Sequence, residues 1–394
     1  MDEFECTPTL NTGLRGIEVA STRISQVDAK AGKLIYRGYL ATELAQNASF
    51  EEVVFLLLHE RLPKKKELEV FSGRLKNKRR LSPAILGVLQ SLQPDANPMD
   101  VLQAGVSLLV QEDADAGANT MESTLASAES LVAKTASLIA AWHRIRKGQE
   151  AVEPDNSLGH AENFLYMLTG KRPQAPVVDF FDTALVLHAE HSFNASTFTA
   201  RQVVSSRAHI YAAVSAAVGS LSGELHGGAN VRVMEMLKVI KTVDNIDAYV
   251  NEALDSGKKI MGLGHAVYQV DDPRAAVLAP MAKKMGEMVD QPLWFELSTR
   301  LEQVAKQRFR EKKGRDIFVN VDFYSASLFY AMGIPMDLFT PVFALARVPG
   351  WAAHVIEEKF ATAAPAPALY RPGAAYVGDY CGPEECSFVE MEKR

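Results

Sequence analysis

The sequence predicts an almost entirely α-helical protein with a small β-hairpin near its N-terminus. Long runs rich in Ala, Leu, Met and Glu occupy most of its 394 residues. Residues that cap or end helices stand at the borders of many of these runs. Only one segment, close to the start, alternates in the manner of paired strands. Since 47% of the residues are hydrophobic and 23% are charged, the chain can bury a large core.

Local signals predict the hairpin and the helices in chain order. Residues 23–38, RISQVDAKAGKLIYRG, alternate around a turn that contains Gly and predict the hairpin. Ser49 and Glu52 then form a capping box before an apolar run, and Pro63 ends that helix. Asn97 precedes Pro98, a pair typical of a helix start. Further helices are predicted at about 120–147, 157–170, 177–190, 207–222, 229–241, 246–256, 273–311, 322–332 and 341–359.

The least helical part is residues 361–386, ATAAPAPALYRPGAAYVGDYCGPEEC. Its Pro and Ala content predicts an extended tail. Such a segment is either disordered or laid across a partner.

Composition excludes several classes of function. The formal net charge of −6 argues against nucleic acid as the main partner, because phosphate backbones require a basic surface. No stretch approaches about 18 apolar residues, so no membrane span is predicted. The acidic N-terminus lacks the apolar run of a signal peptide, and we expect a cytoplasmic protein.

The three cysteines, Cys6, Cys381 and Cys386, lie near the two ends of the chain. An odd number excludes a fully paired disulfide framework, and the spacing does not match zinc sites. Free thiols are the favoured interpretation. A bridge that ties down one terminus in an oxidising compartment is the alternative.

Histidines supply the first candidates for chemistry. His188 and His191 are three residues apart and could face the same way on a helix. A metal site there lacks a third ligand in a matching motif, so we predict no metal. The remaining solitary histidines are interpreted as surface or satisfied core residues: His59, His143, His160, His209 and His354.

His226 stands in ELHGGAN, directly before a predicted helix. The positive end of the helix dipole disfavours an imidazolium and keeps the ring neutral. A neutral ring can still donate an N–H to a developing oxyanion. Gly227 and Gly228 would let a substrate approach the backbone closely. The alternative is a glycine-rich helix entry with an incidental histidine.

A second histidine, His265 in GLGH, lies between glycines and a predicted helix start. There Asp272 is interpreted as the N-cap and Pro273 as the first helical residue. Arg274 follows, and a cation at that end is unfavourable by about 0.3–1 kcal/mol. Its presence suggests a bound anion, although an arginine that reaches into solvent is the alternative.

Two further helix ends carry charged residues. Asp322 opens a helix, either as its cap or as a carboxylate base. Thr340 is interpreted as a cap before Pro341, and the helix is expected to end near Arg347, before Pro349. Arg347 could satisfy terminal carbonyls or hold a carboxylate in a fork geometry.

The order of these residues is more informative than any one of them. The motifs HAEHSFNASTFTAR, LHGGANVRVMEML, IMGLGHAVYQVDDPRA, NVDFYS, DLFTPVFALARVPGW and RPGAAYVG together closely resemble the citrate synthase family, over nearly the whole chain from about residue 13. Within them stand seven residues that match the functional positions of the family: His191, His226, His265, Arg274, Asp322, Arg347 and Arg371.

The resemblance implies a mostly α-helical homodimer with two domains per subunit. A large domain would take residues 1–227 and 334–394, and a small domain residues 228–333. It also implies condensation of an acyl-CoA with oxaloacetate in the cleft between them, with no cofactor besides the CoA thioester substrate. Because the family pattern begins near Gly13, no additional N-terminal regulatory domain and no NADH site are expected.

The resemblance further assigns roles to the matched positions. Asp322 would remove a proton from the acyl methyl group, while His226 would stabilise the enol or enolate. His265 would polarise the oxaloacetate carbonyl and protonate the new alkoxide. Three residues, His191, Arg274 and Arg347, would bind oxaloacetate within the subunit. Arg371 would reach in from the partner subunit.

CoA contacts are expected from Leu263, Gly264 and Arg315. Here the chain departs from the family pattern, because Gln269 stands where Lys or Arg often contacts the CoA phosphates. Another departure is Ser192, which replaces a common Gly or Glu.

Three functions fit these residues. The first is citrate synthase, which uses acetyl-CoA. The second is 2-methylcitrate synthase, which carries out the same chemistry on propionyl-CoA. The third is a non-catalytic dimeric relative that keeps only the fold.

Overall fold

A computed structural model describes residues 12–14, 16–265, 267–376, 378, 388 and 390–393. Within these ranges the chain forms sixteen α-helices and one three-stranded sheet. The predicted all-α class with a small hairpin is therefore confirmed. The three cysteines lie outside the described residues.

The hairpin consists of β1 (Ser25–Asp28) and β2 (Lys33–Tyr36), and β3 (Tyr39–Leu40) pairs with β2. All pairs are antiparallel, with Ser25 opposite Tyr36. The buried Tyr36 hydroxyl lies within hydrogen-bond distance of the carbonyl oxygens of Leu187 and Glu190, at 3.1 and 2.9 Å. The hairpin therefore docks onto the end of the helix that Leu187 belongs to.

The bounds of the first eight helices are α1 Ala41–Asn47, α2 Phe50–His59, α3 Lys65–Asn77, α4 Pro83–Ser91, α5 Pro98–Leu108, α6 Met121–Ile145, α7 His160–Thr169 and α8 Ala175–His188. Side-chain caps stand at the start of α2, α4, α5 and α6 among these eight helices. Ser49 and Glu52 form the predicted capping box, and Asn97 accepts from the backbone N–H of Met99 as expected for a cap.

Three of the seven matched residues, Arg274, Asp322 and Arg347, lie in the second eight helices. Their bounds are α9 Ala195–Ser205, α10 Ile210–Ser222, α11 Ala229–Ile240, α12 Ile246–Ser256, α13 Pro273–Met288, α14 Leu293–Lys313, α15 Val321–Ala331 and α16 Phe339–Phe360.

Three helix predictions need correction. The helix α9 was not predicted, although Asn194 caps it. The single helix expected at 273–311 is two helices, because the chain turns at residues 289–292, where Asp290 has a positive φ of 55°. Finally, α16 does not end near Arg347 but continues through Pro349 to Phe360, and it begins at Phe339, so Thr340 is not its cap.

Proline is tolerated inside α16 because it removes only one backbone hydrogen bond from a helix that is buried along most of its length. The long helix α16 packs against α6, α8, α9 and α10. Its Trp351 and the Trp142 of α6 are among the largest fully buried side chains of the core.

Helices α11 to α15 pack mainly on one another, with α13 against α15 and α12 against α14. In addition, α13 contacts α1 and α8. The division into domains 1–227 plus 334–394 and 228–333 stays a prediction. Among the described helices, none is long and apolar enough to span a bilayer.

After α16 the chain runs without helix or strand from residue 367 to 376. Most of this segment is exposed. An extended course was expected for it from its Pro and Ala content.

Candidate active site

A pocket of about 770 Å³ opens where β1, the loop between α8 and α9, and the first residues of α15 meet. The turn before α11 and the loop before α13 complete its wall, and α16 contributes Phe343 and Arg347. Six of the seven matched residues line it, although they come from distant parts of the chain: His191, His226, His265, Arg274, Asp322 and Arg347.

His226 has one defined tautomer. Its Nε2 accepts a hydrogen bond from the backbone N–H of Ser196 at 3.1 Å and lies 2.8 Å from the Ser196 hydroxyl. A nitrogen that accepts cannot carry the proton, so the neutral ring is protonated on Nδ1. Burial, with a smaller contribution from Arg347, lowers the pKa of His226 to about 4. The ring is therefore neutral at physiological pH and offers an N–H donor.

The helix start that meets the His226 ring differs from the expectation, and the ring is neutral because of burial and Arg347. The expected influence was the N-terminus of α11, which begins after Gly228. The observed donor, Ser196, is the second residue of α9, where backbone N–H groups lack intrahelical partners. The signal for it was the Asn194 cap in NAST, which was not used because α9 was not predicted.

His265 has the opposite tautomer. Its Nδ1 accepts from the backbone N–H groups of Val267 and Tyr268, both at 2.9 Å. The proton of the neutral ring therefore lies on Nε2. Burial first, and Arg274 second, lower the pKa of His265 to about 4.

His191 lies beside His265, with ring centroids 5.5 Å apart. Burial and the neighbouring Arg274 and Arg347 hold its pKa well below 6.5. Its Nε2 is buried and has no hydrogen-bond partner among the described residues. It is thus a neutral group with one unsatisfied atom, in a wall of the pocket.

The interpretation of His188 and His191 as one helix face is wrong, because α8 ends at His188. The His188 ring is buried, and its Nδ1 lies 2.7 Å from the carbonyl oxygen of Ala184, to which it donates. His188 does not line the pocket.

A different cluster has the spacing of a metal site. His191, His265 and Asp272 each place a potential ligand atom within 4.8 Å of the others. Both Asp272 oxygens already accept from Arg274, at 2.9 Å from Nε and 2.7 Å from Nη2. That carboxylate is therefore engaged, and the nearby guanidinium opposes a second cation. The expectation of no metal stays a prediction.

Asp322 is the second residue of α15 and not its cap. The cap is Asn320, whose side chain accepts from the Asp322 backbone N–H at 3.1 Å. The Asp322 carboxylate is left free to face the pocket. Burial raises its pKa to about 6, against the opposing effect of Arg274. A carboxylate that is ionised at neutral pH but poorly solvated is a competent base.

The two arginines in the pocket differ in how they are paired. Arg274 is 2% exposed and forms a bidentate pair with Asp272, so the solvent-facing alternative is wrong. Arg347 is also 2% exposed, but among the described residues it forms no ion pair. Its Nε donates to the carbonyl oxygen of His188 at 2.7 Å. Because α16 continues beyond it, Arg347 does not cap a helix end.

An unpaired guanidinium in a buried position is costly without an anion. Burial lowers the pKa of Arg347 to about 10, so it still carries its charge at neutral pH. Its guanidinium also lies 4.8 Å from the ring centroid of Phe343. The end of the pocket near Arg347 therefore favours an anionic ligand.

Some expected residues lie elsewhere. Arg371 is exposed in the extended segment and does not line the pocket of its own chain. Of the residues expected to bind CoA, Gly264 lines the pocket, Leu263 forms a bridge with Val319 outside it, and Arg315 stacks over Phe309.

Comparisons with known proteins identify the family of this chain. The family model described as "Citrate synthase, C-terminal domain" matches residues 13–373. The citrate synthase of Haloferax volcanii is 43% identical over 390 residues, which cover 98% of this chain and 99% of that protein.

The chain belongs to the citrate synthase family.

Solved structures of the family share its fold. The crystal structure of citrate synthase from Pyrobaculum aerophilum superposes with a TM-score of 0.88 at 37% identity, covering 97% of this chain and 95% of that one. The family also includes relatives of different name. A 2-methylcitrate synthase of Mycobacterium tuberculosis is 38% identical over 374 residues, covering 94% of this chain and 91% of that protein.

Proposed function

We propose that this protein condenses acetyl-CoA with oxaloacetate and water to give citrate and CoA. One observation carries the proposal. A single pocket holds a carboxyl group with a raised pKa, two neutral imidazoles with defined N–H donors, and a buried guanidinium that forms no ion pair with any residue the structure describes. These are the groups that proton abstraction beside a thioester and binding of a dicarboxylate require.

In the first step the Asp322 carboxylate removes a proton from the methyl group of the acetyl thioester. The thioester oxygen gains negative charge as the enolate forms. His226 donates its Nδ1–H to that oxygen, because its Nε2 is already occupied by Ser196. Removing one such donor typically costs on the order of 10²–10³ in rate.

In the second step the enolate carbon that lost its proton to Asp322 attacks the ketone carbon of oxaloacetate. His265 donates Nε2–H to the ketone oxygen and protonates it when it becomes an alkoxide. The proton that Asp322 took from the methyl group then returns to the ring, so both residues regain their starting state. The new carbon–carbon bond gives the citryl thioester, which water hydrolyses to citrate and CoA.

Oxaloacetate binds through its two carboxylates. Arg347 binds one of them. Arg274 binds through the guanidinium N–H groups that its ion pair with Asp272 does not use. His191 offers its unpartnered Nε2. We further propose that the protein is a homodimer in which Arg371 reaches the pocket of the partner subunit. The exposed course of residues 367–376 supports this.

No redox or metal step occurs in this scheme, so we propose that no cofactor is needed. Leu263, Gly264 and Arg315 stay predicted CoA contacts. A cytoplasmic location also stays a prediction from the composition of the chain.

Propionyl-CoA is the alternative acyl donor, because the family includes a 2-methylcitrate synthase of similar identity. The two reactions use the same groups. One additional methylene in an apolar pocket changes transition-state binding by only about 1–3 kcal/mol.

The test is a parallel assay of free CoA release with acetyl-CoA and propionyl-CoA, each with and without oxaloacetate. We expect release that depends on oxaloacetate and a higher kcat/KM for acetyl-CoA. A higher kcat/KM for propionyl-CoA would assign the protein as a 2-methylcitrate synthase. If neither thioester released CoA, the catalytic proposal would be wrong and a non-catalytic relative would be favoured.

A further inference from the structure

Behind the pocket lies a buried chain of polar side chains that the proposed mechanism does not use. It joins Glu190, the residue before His191, to His354 on α16. Both side chains are 0% exposed. Oε1 of Glu190 lies 3.0 Å from Nε2 of His354.

The His354 ring has a defined direction. Its Nδ1 lies 3.0 Å from Nη1 of Arg201, which can only donate, so Nδ1 accepts. The proton on Nε2 therefore points at Glu190. Arg201 is held in turn by Glu357 at 2.8 Å and Glu358 at 2.6 Å.

On its other side Glu190 holds the loop that carries His191. The Ser25 hydroxyl donates to Oε1 of Glu190 at 2.9 Å and accepts from the backbone N–H of Ser192 at 3.0 Å. Residues 190 and 192 are thus tied together through β1. Phe193 adds a third attachment, because its ring packs edge-on against His354 at 5.5 Å.

The loop needs such support because its backbone is strained. Ser192 has a positive φ of 52°, which residues other than Gly adopt at a cost in free energy. A residue held in such a conformation persists only where its surroundings fix it. His191 stands directly between Glu190 and this strained residue.

We propose that Glu190 and His354 form a positioning pair that fixes the His191 loop, and through it the dicarboxylate end of the pocket. The inference rests on the proposed function, since it assigns oxaloacetate to that end. Neither residue is catalytic, because neither lines the pocket.

The test replaces His354 and measures the KM for oxaloacetate separately from the KM for acyl-CoA. His354→Leu removes the donor to Glu190, whereas His354→Gln keeps an N–H near the position of Nε2. We expect His354→Leu to raise the KM for oxaloacetate about tenfold or more and to leave the KM for acyl-CoA within about twofold. His354→Gln should recover most of the loss.

His160→Leu is the matched control, because His160 is also buried and lies outside the pocket. We expect it to leave the KM for oxaloacetate unchanged. Calorimetric binding of oxaloacetate should follow the same order among these variants, independently of turnover.

The proposal is wrong if His354→Leu leaves oxaloacetate affinity unchanged, raises both KM values equally, or behaves like His354→Gln. If His354→Leu does not fold, Glu190→Gln tests the other member of the pair, which also lies outside the pocket. It should weaken oxaloacetate binding several-fold, and an unchanged affinity would overturn the proposal. A wild-type protein that binds oxaloacetate but releases no CoA would contradict the proposed function and not the positioning pair.

Discussion

The tautomers of His226 and His265 depend on one or two backbone groups beside each ring. Ser196 fixes the proton of His226 on Nδ1, while the N–H groups after His265 fix its proton on Nε2. Asn320 caps α15 and leaves the Asp322 carboxylate available. Burial disfavours charged groups, and it therefore keeps the two imidazoles neutral and raises the pKa of Asp322.

Asp322→Asn should lower kcat by about 10²–10⁴, because an amide cannot accept the substrate proton. For the wild type, kcat/KM should fall as pH decreases through about 6, the raised pKa of this carboxyl. Steady-state assays of both proteins across pH 5–9 check this. Turnover by the variant at the wild-type rate would exclude Asp322 as the base.

The same variant should be more stable than the wild type at pH 8. The folded-state pKa of Asp322 lies above its unfolded value of 3.8, so the group favours folding when protonated, and this contribution is lost as pH rises through about 6. We expect urea unfolding to show a gain of about 1–3 kcal/mol at pH 8 that shrinks towards pH 4. A gain that is equal at both pH values would contradict this origin.

Ser192→Gly should stabilise the protein by about 0.5–1 kcal/mol, because Gly adopts the positive φ at this position without strain. Ser72→Gly, inside α3, is the control and should lose about 0.5 kcal/mol. Urea unfolding measures both. Loss of stability in Ser192→Gly would show that the Ser192 side chain makes a contact worth more than the strain.

The sequence predicted the pocket residues well at this scale because the family motifs are long and keep their order. Their partners were harder to foresee. Ser196 and Asn320 are ordinary residues at helix starts, and nothing in their own segments shows that the His226 tautomer or the Asp322 carboxylate depends on them.

At the scale of elements, the starts of two helices position groups in the pocket. The free N–H groups at the start of α9 meet His226, and the start of α15 presents Asp322. In contrast, α16 contributes Arg347 from its interior. The Pro349–Gly350 pair predicted a helix end there, yet the helix continues because its surroundings are buried.

The histidine tautomers can be observed directly by ¹⁵N NMR of the rings. We expect His226 protonated on Nδ1 and His265 on Nε2, with neither ring titrating above about pH 5, since both pKa values are lowered to about 4. The unfolded chain takes up these protons near pH 6.5, so folding stability should fall from about pH 6.5 to about pH 4. A pKa near 6.5 for either ring would contradict its burial.

Gly350→Ala tests how closely α16 approaches the end of α8. An added Cβ would lie 2.3 Å from Oε2 of Glu190 and 2.4 Å from the carbonyl oxygen of Ala189. We expect a loss of about 1–3 kcal/mol in urea unfolding, as overpacked sites show. Gly87→Ala on the exposed side of α4 meets no atom within 4 Å and should gain up to about 1 kcal/mol. Equal effects at the two sites would show that α16 and the end of α8 separate easily.

At the scale of the whole molecule, the pocket of one chain lacks one matched residue. Arg371 lies in the exposed segment after α16, where Tyr370 is anchored by its hydroxyl to Glu358 at 2.9 Å. The contact of Tyr370 holds the neighbouring Arg371 away from the pocket of its own chain. We therefore expect Arg371 to reach the pocket of a neighbouring subunit.

Mixing two inactive variants tests delivery between subunits. Asp322→Asn keeps Arg371, and Arg371→Ala keeps Asp322. A hybrid dimer would hold one complete site, so dissociation and reassociation of an equal mixture should restore about a quarter of the wild-type activity. Native mass spectrometry confirms that hybrids form. No recovery in proven hybrids would show that Arg371 does not act across the interface.

The sequence by itself determined the helical class, the hairpin, most helix positions and the identity of six residues that meet in one pocket. These depend on caps, periodicity and motif order, which are read from neighbouring residues. Only the tertiary structure decided which nitrogen of His226 and of His265 carries the proton, which of the two pocket arginines has an ion-pair partner among the described residues, and that α16 continues past Pro349. Those properties come from desolvation and from partners far away in the chain, such as His188 for Arg347, 159 residues apart.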